Sequence, residues 1–401
     1  AAAHYRLDNL VTIVDSNQAQ LTGRTSDVMD ICPLRDKWAA FGWNVVEADG
    51  NEVVAVRRAF LDARDSRDRP SVVIAHTTKG KGVSFMEAGG HAWHGRVPTA
   101  DELAKEGIRV SAADRVVSTR EAFGKTLARL GKENTQIVAL DADLASSTRM
   151  SYFRDAVPER FIQVGIAEQN MVGIAAGLAL TGFIPFCGSF ATFVSRRACD
   201  QVALLVGHTH LNVKLVGAYG GLVSGNNGAT HQAVEDIAIM RAIPNIVVLE
   251  PADDIEMEMA VEAAIECEGP VYLRCTRDPW PRVSPPDYRF KIGKAARLAE
   301  GSDVTFVCSG MMVSQCIRAA ECLSCEGVSA EVINCATIKP LDAETILSSV
   351  RKTGAVVTAE NASVIGGLGG AVAELLVTEL PSPTLRVGLQ DEYGECGDNI
   401  S

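Results

Sequence analysis

The sequence predicts an α/β protein of three consecutive domains, each a mostly parallel sheet flanked by helices. Short β-branched runs alternate with longer amphipathic segments, the pattern of βαβ units. The length of 401 residues suits two or three domains at about 150 residues each. Two seams divide the chain: 96–117 is polar with no strand pattern, and DPWPRVSPPDYRF (278–290) holds four of the 15 prolines. The expected layout is 1–105, a linker at 106–117, then 118–283 and 290–401, with no short-period repeat.

Taken in order, strands are expected at LVTIV (10–14) and SVVIAHT (71–77) in the first block. QIVAL (136–140), FIQVG (161–165), IPFCG (184–188), VKLVGA (213–218) and NIVVLEP (245–251) follow in the second. VTFVCSG (304–310), SAEVINC (329–335) and GAVVTAE (354–360) belong to the third. Helices fill most intervals between them.

Hydrophobic residues at 47% and charged residues at 22% are ordinary globular values, which exclude disorder and a coiled coil. The formal charge of −12 argues against a nucleic-acid groove but leaves room for a local basic pocket. Eleven cysteines show no metal-ligand spacing; Cys322 and Cys325 read as the end of a helix, and reduced thiols are expected. The most apolar run, 171–186, is too short and too interrupted by Gly and Pro to span a bilayer. No secretory pattern opens the chain. These features predict a cytoplasmic protein without nucleic-acid or membrane partners.

Glu168 opens the otherwise apolar stretch EQNMVGIAAGLAL. Residues 171, 174, 175 and 178 define a helical face, and Glu168, three before Met171, falls on it. An isolated buried charge is costly, so this acid is paired, protonated or engaged by a ligand. A first-turn acid favoured by the helix dipole, or paired with an arginine, stands beside the ligand reading.

In VTIVDSNQAQLTG (11–23), Asn17 is either a turn former or part of an oxygen shell for magnesium carrying phosphates. Phe190 and Phe193, three apart in GSFATFVSRRACDQV, are expected on one helical face, as core packing or as a wall against a flat heterocycle. His91 and His94 in GGHAWHGRVP and His231 in SGNNGATHQAVED lie in glycine-rich loops, where exposed and functional histidines both occur. Arg120 and Arg277 are cation candidates or solvated surface charges.

The stretches DSNQAQLTG, DKWAAFGWNVVEADG, HTTKGKGVSFME with WHG, TREAFG, GIAEQNMVGIAAGLA, GATHQAVEDIAIMR, TIKPLD and IGGLGGAVAE resemble, in order and spacing, the transketolase family across essentially the whole chain. The resemblance implies a thiamine-diphosphate-binding fold plus a transketolase C-terminal domain. It also implies transfer of a two-carbon ketol unit from a ketose phosphate to an aldose phosphate, through a thiamine-diphosphate carbanion. The implied cofactors are thiamine diphosphate and Mg²⁺ (or Ca²⁺), held in a homodimer with sites between subunits.

By resemblance, Glu168 hydrogen-bonds the aminopyrimidine, Phe190 and Phe193 line its pocket, and Asp143 lies near the cofactor. Asn17 through its side chain and Ala19 through its carbonyl complete the metal site. His94 and His231 shuttle protons, and Arg120, Ser147 and Arg277 hold the substrate phosphate. The third block is implied to lie apart from the reaction.

Some positions depart from the family pattern. The Gly-Asp-Gly diphosphate motif is not in the sequence, so the first block is expected to be the C-terminal part of its domain, and the third block is expected to be incomplete. Asn227 stands where an Asp is frequent, and Tyr219 where a phosphate-contacting histidine is common; both bear on the choice of sugar. Two alternatives accompany the transketolase reading. One is a 2-oxo-acid enzyme of the deoxyxylulose-phosphate synthase or dehydrogenase beta type. The other is an inactive fragment or assembly subunit without a complete cofactor site.

Overall fold

The computed structural model describes residues 1–20, 22–82, 84–93, 118–222 and 227–396. His94 and the expected linker at 106–117 lie outside the described residues. The chain divides into two compact units, 1–112 and 113–401.

In the first unit, β1 (Val11–Ser16), β2 (Asn44–Asp49) and β3 (Ser71–His76) form a parallel sheet in the order β1-β3-β2. β3 is central, and Ser71–Ala75 are buried. A period without alternation is what a parallel strand covered on both faces requires. The helix Val53–Arg64 lays Ala59 and Ala63 against Val73.

The second unit holds two sheets. Its strands are β4 (Ile137–Asp141), β5 (Phe161–Gln163), β6 (Ile184–Phe190), β7 (Lys214–Ala218), β8 (Val247–Leu249), β9 (Val271–Cys275), β10 (Ala296–Ala299), β11 (Val304–Cys308), β12 (Ala330–Asn334), β13 (Thr337–Lys339), β14 (Val356–Ser363) and β15 (Thr384–Leu389). One sheet runs β13-β8-β9-β7-β6-β4-β5 and the other β10-β12-β11-β14-β15. Both are parallel apart from one antiparallel edge strand each, β13 and β10.

All ten expected strands are present, within a few residues at their ends. β2, β9, β10, β13 and β15 were not anticipated. β10 and β13 are three- or four-residue antiparallel edges, too short for a period to register. β9 carries Arg274, fully buried at 1% exposure, which breaks the apolar run by which a central strand is recognised.

β13 also ties the expected blocks together, because this strand from the third block extends the sheet of the second. One apolar cluster runs through both, from Leu140, Met171 and Leu215 to Val307, Ile338 and Leu376. The proline-rich connector between them is anchored as well. Arg282 pairs with Asp254, and the Val283 and Ser284 amides donate to Asp253 at 2.8 and 2.7 Å.

Candidate active site

In the seven-stranded sheet the chain passes from β4 outward to β5 and then back across β4 to β6. Such a reversal opens a crevice at the carboxyl ends of the strands, where α/β sheets take ligands. Most of the singled-out residues of the second block sit just beyond those ends. Asp143 and Ser147 follow β4, Glu168 follows β5, Phe190 closes β6, Tyr219 follows β7 and Arg277 follows β9.

Glu168 is the first residue of the helix Glu168–Leu180 and is 4% exposed, with Met171 and Ala175 fully buried on the same face. The helix N-terminus favours its negative charge. Its Oε1 accepts a hydrogen bond from Arg197 Nη1 at 2.9 Å, so the acid is buried and paired. Arg197 is half-exposed, and its guanidinium lies 3.8 Å from the centroid of the Phe193 ring. Sequence reasoning left the arginine partner unnamed, because Arg197 lies 29 residues from the acid.

Phe190 and Phe193 approach to 5.5 Å between ring centroids, though not from one helical face. Phe190 is the last residue of β6, extended at ψ 143°, and caps the helix Ala191–Arg196 that carries Phe193. The strand outruns its expected end because Ser189 and Phe190 keep register with Gly217 and Ala218 of β7. His231 meets both rings edge-on, at 5.6 and 5.3 Å, and shares a 2.9 Å hydrogen bond with Thr230 through Nδ1.

Arg120 begins a second constellation at the start of the helix Thr119–Glu133. Its Nη1 donates to the Ser147 carbonyl at 2.7 Å and to the Tyr219 hydroxyl at 3.0 Å, and its Nε donates to the Arg277 carbonyl at 3.1 Å. Arg120 and Arg277 both lie over the Tyr219 ring, at 5.0 and 5.6 Å. Burial, together with the charges of Arg149 and Arg277, pulls the Arg120 pKa below its ordinary value despite the tyrosine. Phe190 packs against the same tyrosine at 4.3 Å, so the aromatic wall and the arginine cluster are continuous.

Tyr219 and Asp143 hold positive φ, 63° and 64°, uncommon for residues other than glycine. Asp143 is buried, and its amide donates to Gln163 Oε1 at 2.8 Å. Two residues earlier, Asp141 is fully buried and receives the Leu144 amide at 2.6 Å and the Thr148 hydroxyl at 3.1 Å. Burial outweighs those bonds and pushes its pKa up to about 7. Asn227 is half-buried ahead of Gly228.

The first unit holds its own candidate. A cavity of about 500 Å³ is lined by Asn17, Ala19, Arg24, Thr77, Lys79 and His91 among others. Asn17 Oδ1 accepts the Ala19 amide at 2.9 Å and its Nδ2 donates to Asp15 at 3.1 Å, the turn-forming arrangement open to an asparagine. Among the described residues no three His, Cys, Asp or Glu side chains cluster to hold a metal ion. The described cysteines are free thiols, and no described helix is long and apolar enough to cross a membrane.

Each unit, taken by itself, carries donors that suit one part of thiamine diphosphate. In the second unit, a buried acid joined through Arg197 to a pair of aromatic rings suits a flat heterocycle bearing N–H groups. Amide and carbonyl oxygens with nearby cationic side chains match a diphosphate carrying a hard metal ion.

Comparison with known proteins agrees. The transketolase thiamine diphosphate binding domain matches residues 1–123, the pyrimidine binding domain 115–281 and the C-terminal domain 293–399. The chain is 48% identical to the 6-deoxy-6-sulfo-D-fructose transketolase subunit SqwH of Clostridium sp. (strain MSTE9), over 69% of this chain and 86% of that protein. It is 34% identical to transketolase-like protein 2 of Mus musculus, over 100% of this chain and 71% of that one. A solved structure described as a split gene transketolase, inactive beta4 tetramer, superposes with a TM-score of 0.65 at 48% identity, over 69% of this chain and 91% of that one. This chain belongs to the transketolase family.

Proposed function

We propose that the chain transfers a two-carbon ketol unit from a ketose phosphate to an aldose phosphate, using thiamine diphosphate and Mg²⁺ (or Ca²⁺). The observation that supports this most is the convergence, at the carboxyl ends of one sheet, of an arginine cluster, an aromatic wall and a buried acid joined to that wall through Arg197. When bound, thiamine diphosphate supplies the carbon nucleophile that no side chain offers.

In this reading Glu168 hydrogen-bonds a ring nitrogen of the aminopyrimidine, Phe190 and Phe193 hold its flat face, and Asp143 lies beside it. Asn17 and Ala19 contribute oxygens to the metal. His231, against both phenylalanines, moves protons at substrate oxygens, as does His94. Arg120, Arg277 and the Ser147 segment grip the anionic end of the sugar, with Tyr219 and Asn227 shaping what fits. The domain layout read from the sequence, a cytoplasmic location and a homodimer with shared sites belong to the same reading.

A donor screen tests it, with the purified chain, thiamine diphosphate and Mg²⁺ and with fructose 6-phosphate, 6-deoxy-6-sulfofructose, fructose and pyruvate as donors. The sulfonate arm is motivated by the relative's name, since an arginine fork can bind either tetrahedral anion. Cleavage of an anionic ketose is expected. Decarboxylation of pyruvate without ketose cleavage rejects the reading in favour of a 2-oxo-acid enzyme.

A second reading is favoured by the 48% identity to a structure described as an inactive split-gene assembly: this chain acts as a subunit alongside another polypeptide. Activity that appears only on adding such a partner distinguishes it.

A further inference from the structure

The two short segments that present Tyr219 and His231 are held from outside their own sheet. Gly221 donates its amide to the Ala233 carbonyl at 2.8 Å, joining the segment after β7 to the segment carrying His231. Both are gripped by β14, a strand of the five-stranded sheet. Asn361 Oδ1 accepts the Leu222 amide at 3.1 Å, and the Ser363 amide donates to the Val234 carbonyl at 2.7 Å. Asn361 is itself fixed: its carbonyl accepts from Arg274 Nη2 at 3.1 Å, and its Nδ2 faces Met311 Sδ at 3.1 Å.

The fit permits little movement. Gly221 has a φ of 75°, and a Cβ added there would collide with the Asn361 amide. Arg274, 1% exposed, fills the space beside Gly220 and donates to the Ala233 carbonyl at 2.8 Å, while Asp236 holds it at 2.8 and 3.0 Å. The turn therefore rests on a rigid buried floor, to which the C-terminal sheet contributes one neutral side chain.

We propose that Asn361 is a positioning residue for the anion-binding cluster: by holding Leu222 it fixes Tyr219 where its hydroxyl and ring engage Arg120. This rests on the reading of Arg120 and Tyr219 as part of the sugar-anion grip. It makes the C-terminal sheet a determinant of donor affinity rather than a remote attachment. Positioning of this kind matters because a grip set slightly off its productive geometry loses affinity without losing any contact residue.

The test uses the full chain and two substitutions. Asn361→Ala removes the acceptor for Leu222. Val332→Ala opens a void in the separate core cluster under β12 and leaves every hydrogen bond of the turn in place. Calorimetry with fructose 6-phosphate, with fructose as the uncharged control, is run alongside thermal midpoints.

Asn361→Ala is expected to weaken fructose 6-phosphate binding about three- to tenfold, the worth of one hydrogen bond, and in turnover to raise KM without lowering kcat. Val332→Ala is expected to lower the midpoint at least as far with wild-type affinity. Wild-type affinity in folded Asn361→Ala overturns the proposal, and so does an equal loss in Val332→Ala. If the wild type itself shows no preference for fructose 6-phosphate over fructose, the anion reading fails and this inference falls with it. A wild-type preference that Asn361→Ala leaves undiminished sinks the inference alone.

Discussion

Replacing Arg120 with lysine probes the cluster most directly, because its geometry assigns the donors. An arginine has five N–H groups. Three are committed to the protein: Nε to the Arg277 carbonyl, and Nη1 to the Ser147 carbonyl and the Tyr219 hydroxyl. The pair on Nη2 forms the remaining edge of the fork. A lysine ammonium has three donors radiating from one point and no second edge. It can satisfy the protein acceptors or the ligand, but not both.

Each charge-assisted hydrogen bond lost costs about 1.5–3 kcal/mol, or about ten- to a hundredfold in Kd. Burial at this site, which already lowers the Arg120 pKa, weakens solvent screening and favours the upper half of that range. R120K is therefore expected to lose affinity for fructose 6-phosphate by that factor in a calorimetric titration, while binding fructose as the wild type does. Unchanged selectivity between the two in a folded R120K protein would show that the cluster is structural and that the anion binds elsewhere.

Three further outcomes follow from the same geometry. Glu168→Gln keeps the shape and replaces the ion pair by a neutral hydrogen bond; because Arg197 is half-exposed, stability should change by less than about 1 kcal/mol, yet the rise in thermal midpoint on adding thiamine diphosphate should vanish. A full rise would remove Glu168 from the cofactor site. Asp141, raised by burial from 3.8 to about 7, binds its proton more tightly folded than unfolded, so its contribution is complete below about pH 4 and is lost as the pH climbs through 7. Asp141→Asn should flatten the fall in denaturant midpoint across that window, and an unaltered slope would assign the effect to other groups. Asn17→Ala removes an acceptor from the Ala19 amide and should diminish the extra thermal stabilisation that Mg²⁺ adds to thiamine diphosphate; an unchanged increment argues that Asn17 only forms the turn.

What the sequence made legible was whatever is local. Burial of Glu168 followed from its spacing to Met171 and Ala175, and the residue is 4% exposed. The strands rich in Val and Ile were found because their signal lies within five or six residues. The partner of Glu168 was not, since Arg197 lies 29 residues on and reaches the acid only after β6 has crossed the sheet. Phe190 was misplaced onto a helix for a related reason: spacing of three fits a helical face, but pairing with β7, invisible in any short window, keeps the residue extended.

The proline-rich seam shows the same limit from the other side. Prolines mark where regular backbone stops, because the ring fixes φ and removes a donor, and 278–290 does contain no strand or helix. They do not mark where packing stops. Beyond the seam the chain returns β13 to the sheet it had left, with Lys339 Nζ donating to the Arg241 and Ile243 carbonyls at 2.9 and 2.6 Å. β14 then reaches the segments carrying Tyr219 and His231. The seam thus lies between two stretches that pack against one another within one compact unit. The resemblance that set the third block apart from the reaction gave no reason to look for a residue such as Asn361, because its influence travels through a backbone amide rather than through a ligand.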